Sequence, residues 1–126
     1  MNFEKVLFGF FILLAATLNF GFVVGAMDRV DHHNVFELAA ALVVSLIATV
    51  LKFGDRTQLG AVHLATSLVA DLQLIASALY WTWTVQVGGG MTGEHMSVVV
   101  SLATGALVAN VMSVVLMVTE TLTLHR

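Results

Sequence analysis

The chain contains neither cysteine nor proline. The first absence removes disulfides, thiol nucleophiles and thiolate metal sites together. The second removes the commonest cause of sharp kinks, so helices built from this sequence should run unbroken. Charge is also scarce. Only 10% of residues are charged, and 5 Lys and Arg stand against 8 Asp and Glu for a net charge of -3. No basic patch could neutralise several phosphates, which argues against nucleic acid as a partner. What fills the sequence instead is apolar: 59% of 126 residues, where a soluble domain has about 45–50%. A compact water-soluble fold of this length could not hide that much apolar surface, whereas a lipid bilayer can.

Hydrophobic runs divide the chain into four candidate spans, and an all-α integral membrane four-helix bundle is the expected fold. The first run, about 6–27, carries no charge from Val6 to Met27 and would rise ~33 Å as a helix, enough for a hydrocarbon core of about 30 Å. Val24-Gly25-Ala26 resembles a signal cleavage site. However, the stretch is long and the leader Met1 to Lys5 is hardly basic, so a retained helix is expected. The second run, about 35–53, is the shortest. Its uncharged part, Leu38 to Leu51, gives ~21 Å of helix. Lys52 can extend it by burying its stem and lifting its ammonium to the interface. The third, about 61–87, contains one acid, Asp71, and the fourth, about 96–119, contains none. Glycines mark the second and third connections as turns. The connections are too short for a soluble catalytic domain, so no enzyme is expected.

Lys and Arg counts in short loops orient membrane helices. With four spans, Lys5, Lys52, Arg56 and Arg126 fall on one side and Arg29 alone on the other. That split predicts both termini in the cytoplasm. It places Tyr80, Trp81 and Trp83 near the opposite interface, where amphipathic rings concentrate.

Small residues recur every fourth position, a spacing that lets helix backbones approach where lipid supplies no hydrophobic drive. The first segment has Thr17, Gly21 and Gly25, and the second Ala41, Ser45 and Thr49. The fourth has Ser101, Gly105, Ala109 and Ser113. These are the expected packing faces.

Asp71 is the most informative residue. It lies ten positions past Ala61, about 15 Å into the membrane. An acid there costs roughly 2.5–3.5 kcal/mol on insertion scales and usually faces protein or water. His63, Ser67 and Asp71 are spaced i, i+4, i+8 and share one face. Thr66, Gln73, Ser77, Tyr80 and Thr84 form a second polar stripe, so the third helix should be surrounded by the others. Asn110 reaches the depth of Asp71 on an antiparallel neighbour, and Asn19 lies a few ångströms further outward. A hydrogen bond or water bridge between Asp71 and Asn110 is expected. The cluster then reads either as a proton or cation pathway through His63, Ser67 and Asp71, or as a polar clasp that sets helix register.

Other motifs point to less. His32, His33, Glu94 and His95 carry nitrogen and carboxylate ligands of the kind zinc takes, but their loop positions have no fixed spacing. Solvated loop histidines are the plainer expectation, and neither metal nor cofactor is expected. Axial haem ligation would need His63 and His125, at mismatched depths. Gly88-Gly89-Gly90-Met91-Thr92-Gly93 lacks the Lys-Ser/Thr of a phosphate loop.

Three segments, Thr17-Leu-Asn-Phe-Gly21, Ile47-Ala-Thr-Val-Leu-Lys-Phe-Gly-Asp-Arg-Thr57 and His63-Leu-Ala-Thr-Ser-Leu-Val-Ala-Asp-Leu-Gln73, resemble a family of small bacterial membrane proteins without an assigned function. The resemblance implies a bacterial inner-membrane location and no activity. The glycine-arginine motif of fluoride channels is absent, as is the first-helix glutamate of small multidrug exporters. Two functions remain open. One is an accessory subunit of a larger channel or transporter. The other is a homo-oligomer that conducts protons or cations past Asp71.

Overall fold

A computed structural model of the chain describes residues 3–54 and 57–124. Four helices account for nearly all of it: α1 (Phe3–Val23), α2 (Val35–Lys52), α3 (Gln58–Gln86) and α4 (Gly93–Leu124). Each is long and apolar enough to cross a membrane. The 18 residues of α2 rise ~27 Å, close to a hydrocarbon core of about 30 Å. Asn34 starts α2 by accepting the Phe36 N–H on its side chain, and Thr57 starts α3 by accepting that of Gly60. Side-chain oxygens thus meet backbone donors that the first turn leaves open.

The helices run up and down in a square. α1 packs on α2 and α4, and α3 packs on the same two. One end of the bundle carries the α2–α3 connection and the described ends of the chain; the other carries the α1–α2 and α3–α4 loops. The loop end is filled by Phe22, Leu38, Leu74, Met96, Val99 and Val100, with alanines from α2, α3 and α4 between them. A smaller apolar cluster of Phe8, Ile12 and Ala48 lies toward the termini. The outside is apolar as well. Leu72 is 68% exposed, Phe10 58% and Val108 62%, a surface that suits lipid contact and far exceeds the apolar patches of soluble monomers.

Close approaches hold α3 against α4. A Cβ at Gly105 would fall on the Gln73 side-chain amide. Ser77 donates to the Val99 carbonyl at 2.9 Å, and the Thr66 and Ser113 hydroxyls are hydrogen-bonded to each other. Gly21 sits against the Glu37 carboxylate. Of the other expected packing residues, Ser45, Ala109 and Ser113 are buried.

Several expectations take a different form. Gly25 lies beyond the end of α1 at φ +105, where the chain reverses, so it serves a turn and no helix face. The left-handed backbone suits a residue without Cβ, and a Cβ there would lie 2.9 Å from the His32 ring. Ser101 is exposed because the buried face of α4 runs through Val99, Val100, Ala103 and Ala106. α3 is not surrounded: Val69, Leu72 and Leu79 face outward, since α3 has only two close neighbours. Lys52 does not reach outward. It is 7% exposed, with its ammonium 4.3 Å over the Phe8 ring, a cation–π contact. Arg56, His125 and Arg126 lie outside the described residues.

The loop end is tied by histidines. His33 is buried, with Nδ1 2.6 Å from the Phe22 carbonyl oxygen and Nε2 2.8 Å from that of Ala26. Each ring nitrogen thus lies within hydrogen-bond distance of a carbonyl oxygen, a group that can only accept. The Phe22 carbonyl belongs to the last turn of α1, where helical partners run out, while that of Ala26 lies past the helix and also accepts the Arg29 N–H. His32 Nδ1 accepts the Ala26 N–H at 2.9 Å.

Two outcomes follow for a thermal melt in detergent. Gly105→Ile should lower stability by about 1–3 kcal/mol through overpacking; unchanged melting would mean that α3 and α4 do not meet there. His33→Ala should cost about 1–3 kcal/mol by leaving the buried Phe22 carbonyl without its side-chain partner; a neutral result would show that this contact carries no weight.

Candidate functional site

Asp71 is 4% exposed and points from α3 toward α2. Ser45 Oγ donates to its Oδ1 at 2.7 Å, and Thr49 Oγ1 to its Oδ2 at 2.5 Å. Ser45 and Thr49 are one turn apart on α2, so their hydroxyls line up to meet the two oxygens of one carboxyl. Thr49 Oγ1 also lies 3.0 Å from the Ser45 carbonyl oxygen, so its single hydrogen is shared between two acceptors. Cross-helix side-chain bonds of this kind lock the register of α2 against α3.

No direct bond joins Asp71 and Asn110; hydroxyls of α2 hold both carboxyl oxygens instead. Asn110 belongs to the same depth. The α3–α4 contacts pair Thr66 with Ser113 and Gln73 with Gly105, which brings Asn110 level with the turn between Ser67 and Asp71. Ser67, Asn110 and Asn19 are all fully buried. Ser67 Oγ and both side-chain polar atoms of Asn19 and of Asn110 meet no protein hydrogen-bond partner. Each such atom costs about 1–3 kcal/mol when buried and unmatched. Five of them would amount to a large share of the 5–15 kcal/mol that typically holds a domain together. A membrane interior built this way calls for water or another small polar guest beside them.

Asn19 stands apart from the other two. Ring contacts between α1 and α3, Phe8 with His63 and Phe22 with Trp81, set it roughly 8 Å beyond Asp71 toward the loop end. His63 is buried at the termini end, its ring centroid 5.1 Å from that of Phe8. Gln73 leaves the Asp71 face altogether and covers Gly105. Thr49, His63, Ser67 and Ser113 are buried toward the termini beside Phe8, Ile12 and Ala48, while toward the loops Asn19, Ser77 and Thr84 are buried within the larger apolar cluster of Phe22, Leu38, Leu74 and Met96. Sequence spacing picked out His63, Ser67 and Asp71 but not Ser45 and Thr49 as the acid's partners. Their four-residue spacing on α2 was the available signal.

Outside the spans, the Asp31 carboxyl is held below its usual range by the side-chain hydrogen bond from Arg29. The pair is exposed and stabilises little. His95 Nδ1 lies 3.1 Å from the Gly90 carbonyl oxygen, and its ring packs on Tyr80 and Trp83. Among the described residues, no three His, Cys, Asp or Glu side chains gather as a metal would require.

The hydrogen-bond pattern separates two substitutions. In Asp71→Asn the new amide can donate to Thr49 Oγ1 while its oxygen accepts from Ser45, so the fold should survive with a modest loss. Asp71→Ala strands the Ser45 hydroxyl, while Thr49 keeps the Ser45 carbonyl, and should lower stability by about 1–3 kcal/mol, the cost of an unmatched buried group. Equal melting of the two variants would mean that α2 does not clasp Asp71.

Neither the curated proteins nor the solved structures contain a match to this chain. Residues 32–121 match a family of unknown function, DUF6394. That stretch runs from the end of the first loop through most of α4, and includes Ser45, Thr49, Ser67, Asp71 and Asn110 while leaving out α1. On the strength of this match over most of its length, the chain belongs to the DUF6394 family.

Proposed function

We propose that this protein is an accessory subunit of a larger membrane channel or transporter, seated in a bacterial inner membrane with both termini in the cytoplasm. The orientation rests on the unequal split of Lys and Arg, with Lys5, Lys52, Arg56 and Arg126 on one side and Arg29 on the other, as the positive-inside rule uses it. The observation that carries the role is the inward turn of Asp71. Its carboxyl is engaged by α2, and beyond it the larger apolar cluster, with Phe22, Leu38, Leu74 and Met96, interrupts the buried polar residues Asn19, Ser77 and Thr84. A lone bundle therefore offers no continuous polar route, and an assembly of copies would still keep the acid away from its contact surfaces. What remains for lipid or partner to meet is four apolar helix faces.

The competing reading is a homo-oligomer that conducts protons or cations past Asp71. It is favoured by the depth of a buried acid, since such residues commonly serve transport.

Extraction from native membranes in mild detergent separates the two. The accessory reading expects the chain to co-purify in fixed ratio with a channel or transporter whose flux changes when the chain is deleted. It is overturned if the chain purifies only with copies of itself and, in liposomes, carries a proton flux that Asp71→Asn abolishes.

A further inference from the structure

We propose that Asp71, Ser67 and Asn110 form a binding site for a small monovalent cation, which exchanges with the side of the membrane that holds the termini. Assembly with a partner does not require such a site, so the inference goes beyond the accessory role.

Two observations lead to it. The first is the set of polar atoms that no protein group answers. Ser67 Oγ and the side-chain oxygen and nitrogen of Asn110 are buried without a partner. They lie on the same helix face as Asp71 and at its depth on the neighbouring helix. A proton on Asp71 would complete the chain through Thr49 to the Ser45 carbonyl, yet it would leave the Ser67 and Asn110 atoms as they are. A cation that keeps a water answers all of them: it takes the oxygens as ligands, and its water accepts from the Asn110 amide. The second observation is the carboxyl itself. A carboxylate has about four acceptor positions, and the two hydroxyls of α2 use two. The rest are available to a ligand.

Ligand chemistry then selects the guest. Every available ligand is an oxygen, which suits a hard cation and not a transition metal. One carboxylate supplies one negative charge, so a singly charged ion leaves the site neutral within hydrocarbon. A divalent ion would leave an uncompensated charge where charge is costly.

The side of entry follows from the asymmetry of the interior. Toward the loops, the larger apolar cluster, with Phe22, Leu38, Leu74 and Met96, stands between the site and the loop end, with Asn19 and Ser77 buried within it. Toward the termini, the Thr66 and Ser113 hydroxyls and His63 continue the polar lining. An ion that enters from the termini side meets a dead end, as fits a site that is occupied and released rather than crossed.

The test is a melting series on the purified full chain in detergent, in lithium, sodium, potassium and choline chloride at equal ionic strength. A ligand that binds only the folded state raises melting in proportion to the logarithm of its concentration above its dissociation constant. At least one of the three small cations should raise the melting temperature in this way while choline does not. Asp71→Asn should abolish the difference between salts, and Ser67→Ala should move the half-maximal concentration upward several-fold. Lys5→Gln, which breaks the half-exposed Lys5–Glu120 ion pair away from the site, should keep the wild-type response. If Asp71→Asn does not fold, Ser67→Ala with Asn110→Ala decides the same question. Identical melting in all four salts, which marks a site for water or a proton alone, overturns the proposal. So does a cation response that survives loss of the site residues. Either failure leaves the co-purification result intact.

Discussion

Hydrocarbon cannot hydrogen-bond, and the arrangement of every polar group within these spans follows from that. Helices satisfy the backbone without outside help. Side chains have two outlets: their own helix or another one. Thr104 takes the first, donating to the Val100 carbonyl one turn back. Ser77 takes the second, donating across to α4. The backbone N–H groups of α3 are already committed to its own helix, so the Asp71 oxygens must turn to a neighbour that carries donors. α2 is that neighbour, because Ser45 and Thr49 repeat at the helical spacing.

The same constraint explains how the bundle coheres. Apolar side chains gain little by leaving lipid for a protein interior, so contact and directed bonds must supply the association. Gly105 brings α3 and α4 close enough for the Gln73 amide to rest on the α4 backbone. The Ser113–Thr66 bond and the Ser77 bond to Val99 then fix the sliding of one helix along the other. An ion pair between Lys5 and Glu120 joins α1 to α4 at 2.8 Å where the helices leave the apolar zone. Polar contacts thus sit along every part of the bundle, while the two apolar clusters fill what lies between them.

The asymmetric interior joins structure to role. An acid held inside a bundle whose larger apolar cluster stands on one side of it suits register and ligand binding better than passage. Its partners come from one neighbouring helix: the hydroxyls of α2 bind the carboxyl, while the Asn110 amide of α4 is buried without a protein partner.

Composition and run length alone determined that four helices cross a membrane, because transfer of apolar residues into lipid is additive and needs no knowledge of neighbours. Periodicity alone put His63, Ser67 and Asp71 on one face, since helical geometry is local. It could not say which helix that face would meet. Asn110 and the pair Ser45 and Thr49 lie on different helices and all carry groups able to bond an acid. Only the rotation of each helix about its own axis chooses between them. Rotation is set by close packing summed over whole interfaces, as at Gly105 and Gly21, and the same packing turned Ser101 outward. The turn at Gly25 and the burial of His33 likewise arise only where α1 meets the loop that follows it, a contact between distant atoms that no single helix specifies.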